Sequence, residues 1–137
     1  MIVPEIRSRL QRLGTKKRAE VSQRFFKTAP GEYGEGDIFI GVTVPELRRL
    51  ATEYQAITLT DVTLLLRSMI HEERLLALLI LVRAYANGDE HTKKRIYELY
   101  LANTRYVNNW DLVDASAMHI VGAFLMSKSK KTLHALM

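Results

Sequence analysis

The longest apolar run in the chain, residues 75–82, would present apolar side chains on almost every side of a helix. A helix without a polar face has to be surrounded by other helices, and this run is too short to cross a bilayer. Residues 112–125 form a second segment of the same kind. These segments predict a fold in which two buried helices are sandwiched between amphipathic ones.

Helical periodicity continues over nearly the whole chain. Thr43 and Glu46 match a capping box, with Pro45 in the turn that follows. Residues 38–42 are a candidate extended segment, and one short segment cannot make a sheet. We therefore predict an all-α fold, with helices at about residues 4–13, 16–27, 44–54, 60–68, 71–85, 90–102, 109–126 and 128–137.

The two apolar segments start near His71 and Asn109, roughly 40 residues apart, which matches the period of HEAT-like helical pairs. Stacked pairs form a superhelix whose concave surface suits an extended partner. A compact helical bundle is the alternative arrangement. The expected architecture is a single domain over residues 1–137, an α-α superhelix of HEAT-like or armadillo-like repeats.

The composition narrows the chemistry. The chain has no cysteine, which excludes disulfides, thiolate nucleophiles and cysteine-based zinc sites and fits a reducing cytosol. The net charge of +5 attracts it to anionic surfaces such as nucleic acid, although a surplus that only solvates the protein is equally compatible. The four histidines lack metal-ligand spacing and a serine hydrolase elbow is absent, so we expect neither a metal site nor a serine hydrolase.

Residues 28–37 form a glycine-rich loop that invites comparison with a phosphate cradle. Gly36 and Gly41 have Walker-like spacing, but Val42 stands where that motif needs lysine. The acidic side chains of the loop would also repel phosphate. We therefore interpret it as an ordered loop in which glycines supply unusual backbone angles.

Basic side chains occur in four clusters along the predicted helices. Each cluster on its own is most simply a solvated helix face. If several line one groove, they would bind a phosphate backbone, and each phosphate neutralised would steepen the salt dependence of binding by about 0.9 in log–log slope. The clusters are at residues 16–18, 48–49, 93–95 and 128–131.

The second apolar segment begins with an indole and a carboxylate four residues apart, Trp110 and Asp114, which share one helical face. A helical wheel places Asp114 within an apolar stripe, formed by Trp110, Ala117, Val121, Phe124 and Leu125. A charge among apolar neighbours is costly unless it is paired. Asp114 is therefore expected to meet either a ligand or a buried arginine, such as Arg74 or Arg105.

Simpler interpretations exist for three other residues of the chain. Asp111 follows a predicted helix cap at Asn108 and complements the positive end of the helix dipole. Trp110 is either a core anchor or a substrate contact. His71, with the two glutamates after it, is most simply the start of a helix.

Several short motifs follow one another along the chain. They are Phe26-Lys27-Thr28, Gly31-Glu32-Tyr33-Gly34-Glu35-Gly36-Asp37, Phe39-Ile40-Gly41-Val42 with Val44-Pro45-Glu46-Leu47-Arg48, His71-Glu72-Glu73-Arg74, and Asn108-Asn109-Trp110-Asp111-Leu112-Val113-Asp114. In this order they resemble the DNA alkylation repair family, whose members are HEAT-like-repeat DNA glycosylases that excise alkylated purines. The resemblance covers nearly the whole chain, from about Phe25 to Gly122.

The resemblance implies that Trp110 and Asp114 are catalytic and face the lesion-bearing nucleotide of double-stranded DNA. It implies hydrolysis of the N-glycosidic bond of purines made cationic by alkylation at N3 or N7, without base flipping and without a metal or cofactor. Asp114 would stabilise the positive charge that develops on the sugar. The alternative is a non-catalytic HEAT-like module that binds DNA or protein. The side chains expected to contact DNA are Lys27, Tyr33, Lys128, Lys130 and Lys131.

Members of this family are longer, and their further repeats carry an arginine and a second tryptophan of the active site. The chain therefore resembles the N-terminal portion of a longer architecture, which leaves open whether these 137 residues are active alone. An incomplete superhelix exposes an apolar end that favours self-association. The expected location is the cytoplasm, at the nucleoid if the source is bacterial.

Overall fold

The computed structural model describes residues 2–25, 36–108 and 110–136, and of Trp110 and residues 130–136 it describes the backbone only. Within these residues the chain is all-α, as predicted. The helices are α1 (Ile2–Leu13), α2 (Lys16–Phe25), α3 (Val44–Glu53), α4 (Leu59–Leu66), α5 (His71–Asn87), α6 (Glu90–Ala102), α7 (Trp110–Ala117) and α8 (Ala123–Leu136). A 3₁₀ turn, Thr104–Tyr106, precedes α7, and a π-helical turn, Met118–Gly122, joins α7 to α8.

Helix α5 lies at the centre of the fold and contacts α1, α3, α4, α6 and α7. Every side chain from His71 to Leu81 is buried, which confirms the prediction that this segment has no exposed face. Burying one leucine or isoleucine side chain contributes about 1.5–3 kcal/mol, so the apolar part of α5 is the main source of core stability. No helix within the described residues is long and apolar enough to cross a membrane.

The last two predicted helices form one continuous helical rod. A break was expected near residue 127, but the described backbone is helical through the π turn and on through α8. The polar side chains at the expected break, Ser127, Lys128 and Ser129, are exposed on the surface of the rod, so they do not end it. A π turn takes up one extra residue, which rotates the side chains that follow it by about 100°.

The predicted position of Asp114 in an apolar stripe is wrong. The buried face of this region consists of Leu112, Ser116 and Ile120, and Asp114 lies on the exposed side. The π turn also breaks the register of the wheel before Phe124 and Leu125, the last two members of the predicted stripe. The region is also less buried than predicted, with these large apolar side chains exposed: Val113, Met118, Leu125 and Met126.

Residues 37–43 run in an extended conformation beside the start of α5. A single parallel bridge pairs Ile38 with Ile70, and the His71 N–H donates to the Ile38 carbonyl at 2.8 Å. The buried Glu72 carboxylate accepts the backbone N–H groups of residues 40–42, the shortest at 2.8 Å from Gly41. These bonds satisfy an extended segment that has no sheet to join.

Two glycines of this region have the unusual backbone angles expected from the sequence. Gly36 has φ +84° and Gly41 has φ +81°. A Cβ atom on Gly41 would lie 2.1 Å from the carbonyl oxygen of Thr15, so only glycine permits this approach to the start of α2. The remainder of the predicted loop, residues 28–35, lies outside the described residues.

The predicted capping box is confirmed at the start of α3. The Thr43 hydroxyl accepts the Glu46 N–H, and the Glu46 carboxylate accepts the Thr43 N–H at 3.2 Å. We expect Thr43→Ala to lower the free energy of unfolding by about 1 kcal/mol in urea titrations. Thr52→Ala, which removes an exposed hydroxyl from the same helix, should change it by no more than about 0.5 kcal/mol. Equal losses in the two variants would contradict the capping role.

Candidate functional site

Asp114 lines a pocket of about 260 Å³ where the first turns of α3 and α7 meet α5. Its side chain is exposed, and it makes no hydrogen bond or ion pair with any residue whose side chain the structure describes. The pocket combines apolar walls with two carboxylates and one cation. Its lining residues are Val44, Arg48, Leu75, Leu79, Asp111, Asp114 and Ala115. Among the described side chains, Asp114 is therefore an unpaired carboxylate in the lining of this pocket.

The alternative prediction, an internal ion pair between Asp114 and an arginine, is wrong for both candidates. Arg74 is buried and binds Asp37, and its Nη1 donates to the Asn108 side chain at 2.7 Å. Arg105 donates instead to the Tyr106 hydroxyl at 2.8 Å. Both guanidinium groups thus have other partners, and the charge of Asp114 faces outward.

A second pocket, of about 400 Å³, adjoins the first at Val44, which lines both. Lys17 and Arg18 of α2 line it, and Arg48 lines the first pocket. Two of the four basic clusters in the sequence therefore converge on one continuous surface. We call this surface, the two adjoining pockets together, the basic groove. Its lining includes the positive charges of Lys17, Arg18 and Arg48 together with the carboxylates of Asp111 and Asp114.

Beneath the first pocket, His71 bridges two carboxylates. Its Nδ1 lies 3.0 Å from Asp37 Oδ2, and its Nε2 lies 2.6 Å from Asp111 Oδ2. Phe39 stacks on the imidazole with ring centroids 4.4 Å apart. Arg74 pairs with the other oxygen of Asp37. We call the Asp37–His71–Asp111 arrangement the imidazole bridge.

The environment shifts the pKa values of two members of the imidazole bridge. Burial alone would lower the pKa of His71, but hydrogen bonds and negative charge from Asp111 and Asp37 outweigh it and raise that pKa. Burial alone would raise the pKa of Asp37, and here the hydrogen bond to His71 and the charge of Arg74 lower it instead. Both shifts favour the ionised forms, as expected for buried groups of opposite charge in contact.

The structure changes the interpretation of the residues that precede Asp114. Helix α7 begins at Trp110, and the Asn108 side chain, predicted to cap the helix, accepts a hydrogen bond from Arg74. Asp111 does lie in the first turn, where its charge suits the helix dipole. Its main partner is nevertheless His71, a contact that the sequence pattern did not predict.

The other predicted site residues have mixed outcomes. The side chain of Trp110 lies outside the described part of the structure, as do the predicted DNA-contacting side chains of Lys27, Tyr33, Lys130 and Lys131. Lys128 stacks over Phe124 at 5.5 Å and lines a different pocket, with Tyr85 and His91. The structure therefore does not bring Lys128 together with Asp114.

The imidazole bridge was not predicted from the sequence, although its three members lie in the motifs that carry the family resemblance. Asp37 ends the glycine-rich motif, His71 opens the next, and Asp111 lies in the last. One sequence signal could have indicated these residues. Acidic and histidine side chains stand at the start of the most apolar helix, where a charged group needs a partner. In the described part of the chain, no cluster of histidine and acidic residues has the geometry to hold a metal ion.

Comparisons with known proteins identify the family of the chain. A sequence model of the family described as DNA alkylation repair enzyme matches residues 6–137. No curated protein and no solved structure matches the chain. Because the family match spans nearly the whole sequence, the chain belongs to the DNA alkylation repair enzyme family, and its function is DNA repair through interaction with DNA.

Proposed function

We propose that the protein is a DNA glycosylase that hydrolyses the N-glycosidic bond of purines made cationic by alkylation at N3 or N7. The observation that carries the proposal is Asp114, an exposed carboxylate beside the basic groove that is unpaired among the described side chains. The groove would hold the phosphate backbone, and Asp114 would face the sugar. A HEAT-like stacking of the helices, with its concave side at the groove, fits this use.

The proposed reaction needs few catalytic groups from the protein. The bond between C1′ and the purine nitrogen breaks, and its electron pair leaves with the base, which cancels the positive charge of the alkylated purine. The sugar acquires oxocarbenium character, as in glycoside hydrolysis. Water then adds its oxygen to C1′ and loses a proton to solvent. The carboxylate of Asp114 would stabilise the sugar cation and orient that water.

Exposure of Asp114 supports a reaction at the surface of the duplex. Enzymes that flip a base bind it in a closed pocket that reads its edge. The pocket at Asp114 is instead continuous with an open groove through Val44. We therefore propose that the carboxylate reaches the sugar without extraction of the base. Lesion selectivity would come from the leaving ability of the cationic purine.

The direct test is release of free base. Duplex DNA treated with a methylating agent is incubated with the protein, and free 7-methylguanine and 3-methyladenine are separated by chromatography and quantified. The proposal expects release above the spontaneous rate for both purines and none for unmodified guanine. Duplex binding without release of either base would contradict it and would favour a non-catalytic DNA-binding module.

The basic groove makes a separate prediction about binding. Arg48 is exposed and lines the pocket with Asp114, so Arg48→Gln should weaken duplex binding and lower the salt slope by about 0.9. The measurement is the dissociation constant as a function of salt concentration. The matched control is Arg95→Gln, because Arg95 is equally exposed and lines a different pocket, with Glu98. An equal change in both slopes would mean that the groove is not the binding surface.

A further inference from the structure

We propose that the imidazole bridge is the device that positions Asp114, and that it works only while His71 is an imidazolium. His71 and Asp111 are then positioning residues that touch no substrate. The inference rests on the proposed function, since it assigns them a role in support of Asp114. It concerns the buried residues His71 and Asp37 together with Asp111, which lines the same pocket as Asp114.

The contacts of His71 require two donors on one ring. Both ring nitrogens lie within hydrogen-bond distance of a carboxylate oxygen, 3.0 Å to Asp37 and 2.6 Å to Asp111. An ionised carboxylate only accepts, so each nitrogen has to carry a proton. The ring is 2% exposed and stacks on Phe39, which fixes its plane. With both carboxylates ionised, this geometry favours the charged form of His71.

The imidazole bridge fixes the helix that carries Asp114. Asp111 and Asp114 are three residues apart on α7, so a bond that orients Asp111 also sets the direction of Asp114. Arg74 holds the segment that leads into α7, because its Nη1 also donates to the Tyr106 carbonyl at 3.0 Å. The start of α7 is therefore attached to the start of α5 at two successive points.

The charges around His71 determine what deprotonation would do. Asp37 approaches it from the extended segment and Asp111 from α7, while Arg74 of α5 neutralises Asp37 alone. The other carboxylates of α5 are engaged elsewhere. Glu72 accepts from the backbone of residues 40–42, and Glu73 pairs with Arg7 at 2.9 Å. Among the described residues, Asp114 is the carboxylate that lines the same pocket as Asp111.

A neutral ring can donate to only one of its two carboxylates. Asp111 is the partner that would separate, because no arginine pairs with it among the described side chains, and it is 19% exposed against 4% for Asp37. The raised pKa of His71 determines how the stability of the imidazole bridge depends on pH. The stabilisation is complete below about pH 6.5, the ordinary pKa of histidine, and is lost as the pH rises through the higher value of the folded protein.

The test uses Trp110, the only tryptophan in the chain, which precedes Asp111. Its fluorescence is followed from about pH 6 to pH 10, together with the single-turnover rate of base release. The proposal expects one fluorescence transition above about pH 6.5, with release slowing by about tenfold or more through the same midpoint. Asp111→Asn should move the midpoint to lower pH, because it removes one of the two charges that hold the proton on His71.

The matched control is His119→Gln, which removes an exposed histidine from the π turn and should leave the midpoint unchanged. His71→Gln should abolish the transition. If that variant fails to fold, Asp111→Asn, at a partly exposed position, still decides the question. No transition in the unmodified protein, or a midpoint that Asp111→Asn leaves in place, would overturn the bridge.

Two further outcomes separate the inference from the proposed function. A fluorescence transition with an unchanged release rate would overturn the positioning role, although the bridge itself exists. No release by the unmodified protein at any pH would refute the proposed function. The positioning role would then fall with it, whatever the fluorescence shows.

Discussion

Asp114→Asn is expected to slow base release by about one to three orders of magnitude while leaving the fold intact. A carboxylate about 4 Å from a developing sugar cation contributes about 1 kcal/mol at the dielectric of water and about 4 kcal/mol at an effective dielectric of 20. Asp114 is exposed in the unbound protein, and bound DNA would exclude part of the surrounding water. These limits correspond to about a fivefold to a thousandfold change in rate, and the upper part applies once DNA is bound.

The measurement is the single-turnover rate at saturating DNA, because it isolates the chemical step from binding. The free energy of unfolding should change by no more than about 0.5 kcal/mol, since Asp114 makes no bond to a described side chain. The matched control is Asp61→Asn, which alters a first-turn carboxylate of α4 that lines neither pocket of the basic groove. Full activity of Asp114→Asn would refute the catalytic role.

Arg74→Met is expected to lower the free energy of unfolding by about 3–5 kcal/mol, the usual cost of removing one partner from a buried ion pair. The variant removes the guanidinium that pairs with the buried Asp37 carboxylate and that donates to the Tyr106 carbonyl and the Asn108 side chain. Methionine fills much of the same volume, so the loss reports charge and hydrogen bonding more than a cavity. In thermal unfolding the midpoint should fall by about 10–20 °C.

Arg83→Met is the matched control, because it makes the same substitution on the exposed side of the same helix. The pH dependence provides a second check. The pKa of Asp37 is lowered in the folded protein, so its pairing stabilises the fold above about pH 3.8 and is lost as the pH falls through the folded value. The difference between the unmodified protein and Arg74→Met should therefore shrink in acid. A difference that stays constant would argue against the charge pair.

Much of the helical framework followed from local signals in the sequence. The capping box at Thr43 begins α3, the turn at Gly88 separates α5 from α6, and the apolar run of residues 75–82 is the buried centre. Each signal acts within a few residues, through propensity, capping and periodicity, so sequence alone determines it. The π turn at Met118–Gly122 was not predictable in this way, because no single residue type specifies it.

The candidate site, like the fold, was only partly predictable from the sequence. The motif at residues 108–114 and its family resemblance indicated Asp114, and the structure leaves that carboxylate exposed beside Arg48. Which basic clusters lie near it was not predictable, since Lys17 and Arg48 line adjoining pockets only in the folded chain. The same is true of His71, which the sequence marked only as a helix start and whose partners lie 34 and 40 residues away.

By itself the sequence determined the helices, the central position of α5 and the family, because these depend on short-range patterns and on the order of motifs. Tertiary structure alone decided which charges are paired. In the folded protein Arg74 pairs with Asp37, His71 contacts two carboxylates, and Asp114 lines the basic groove. The physical reason is that ion pairs in a core depend on distances of a few ångströms between distant parts of the chain, and those distances exist only once the helices have packed.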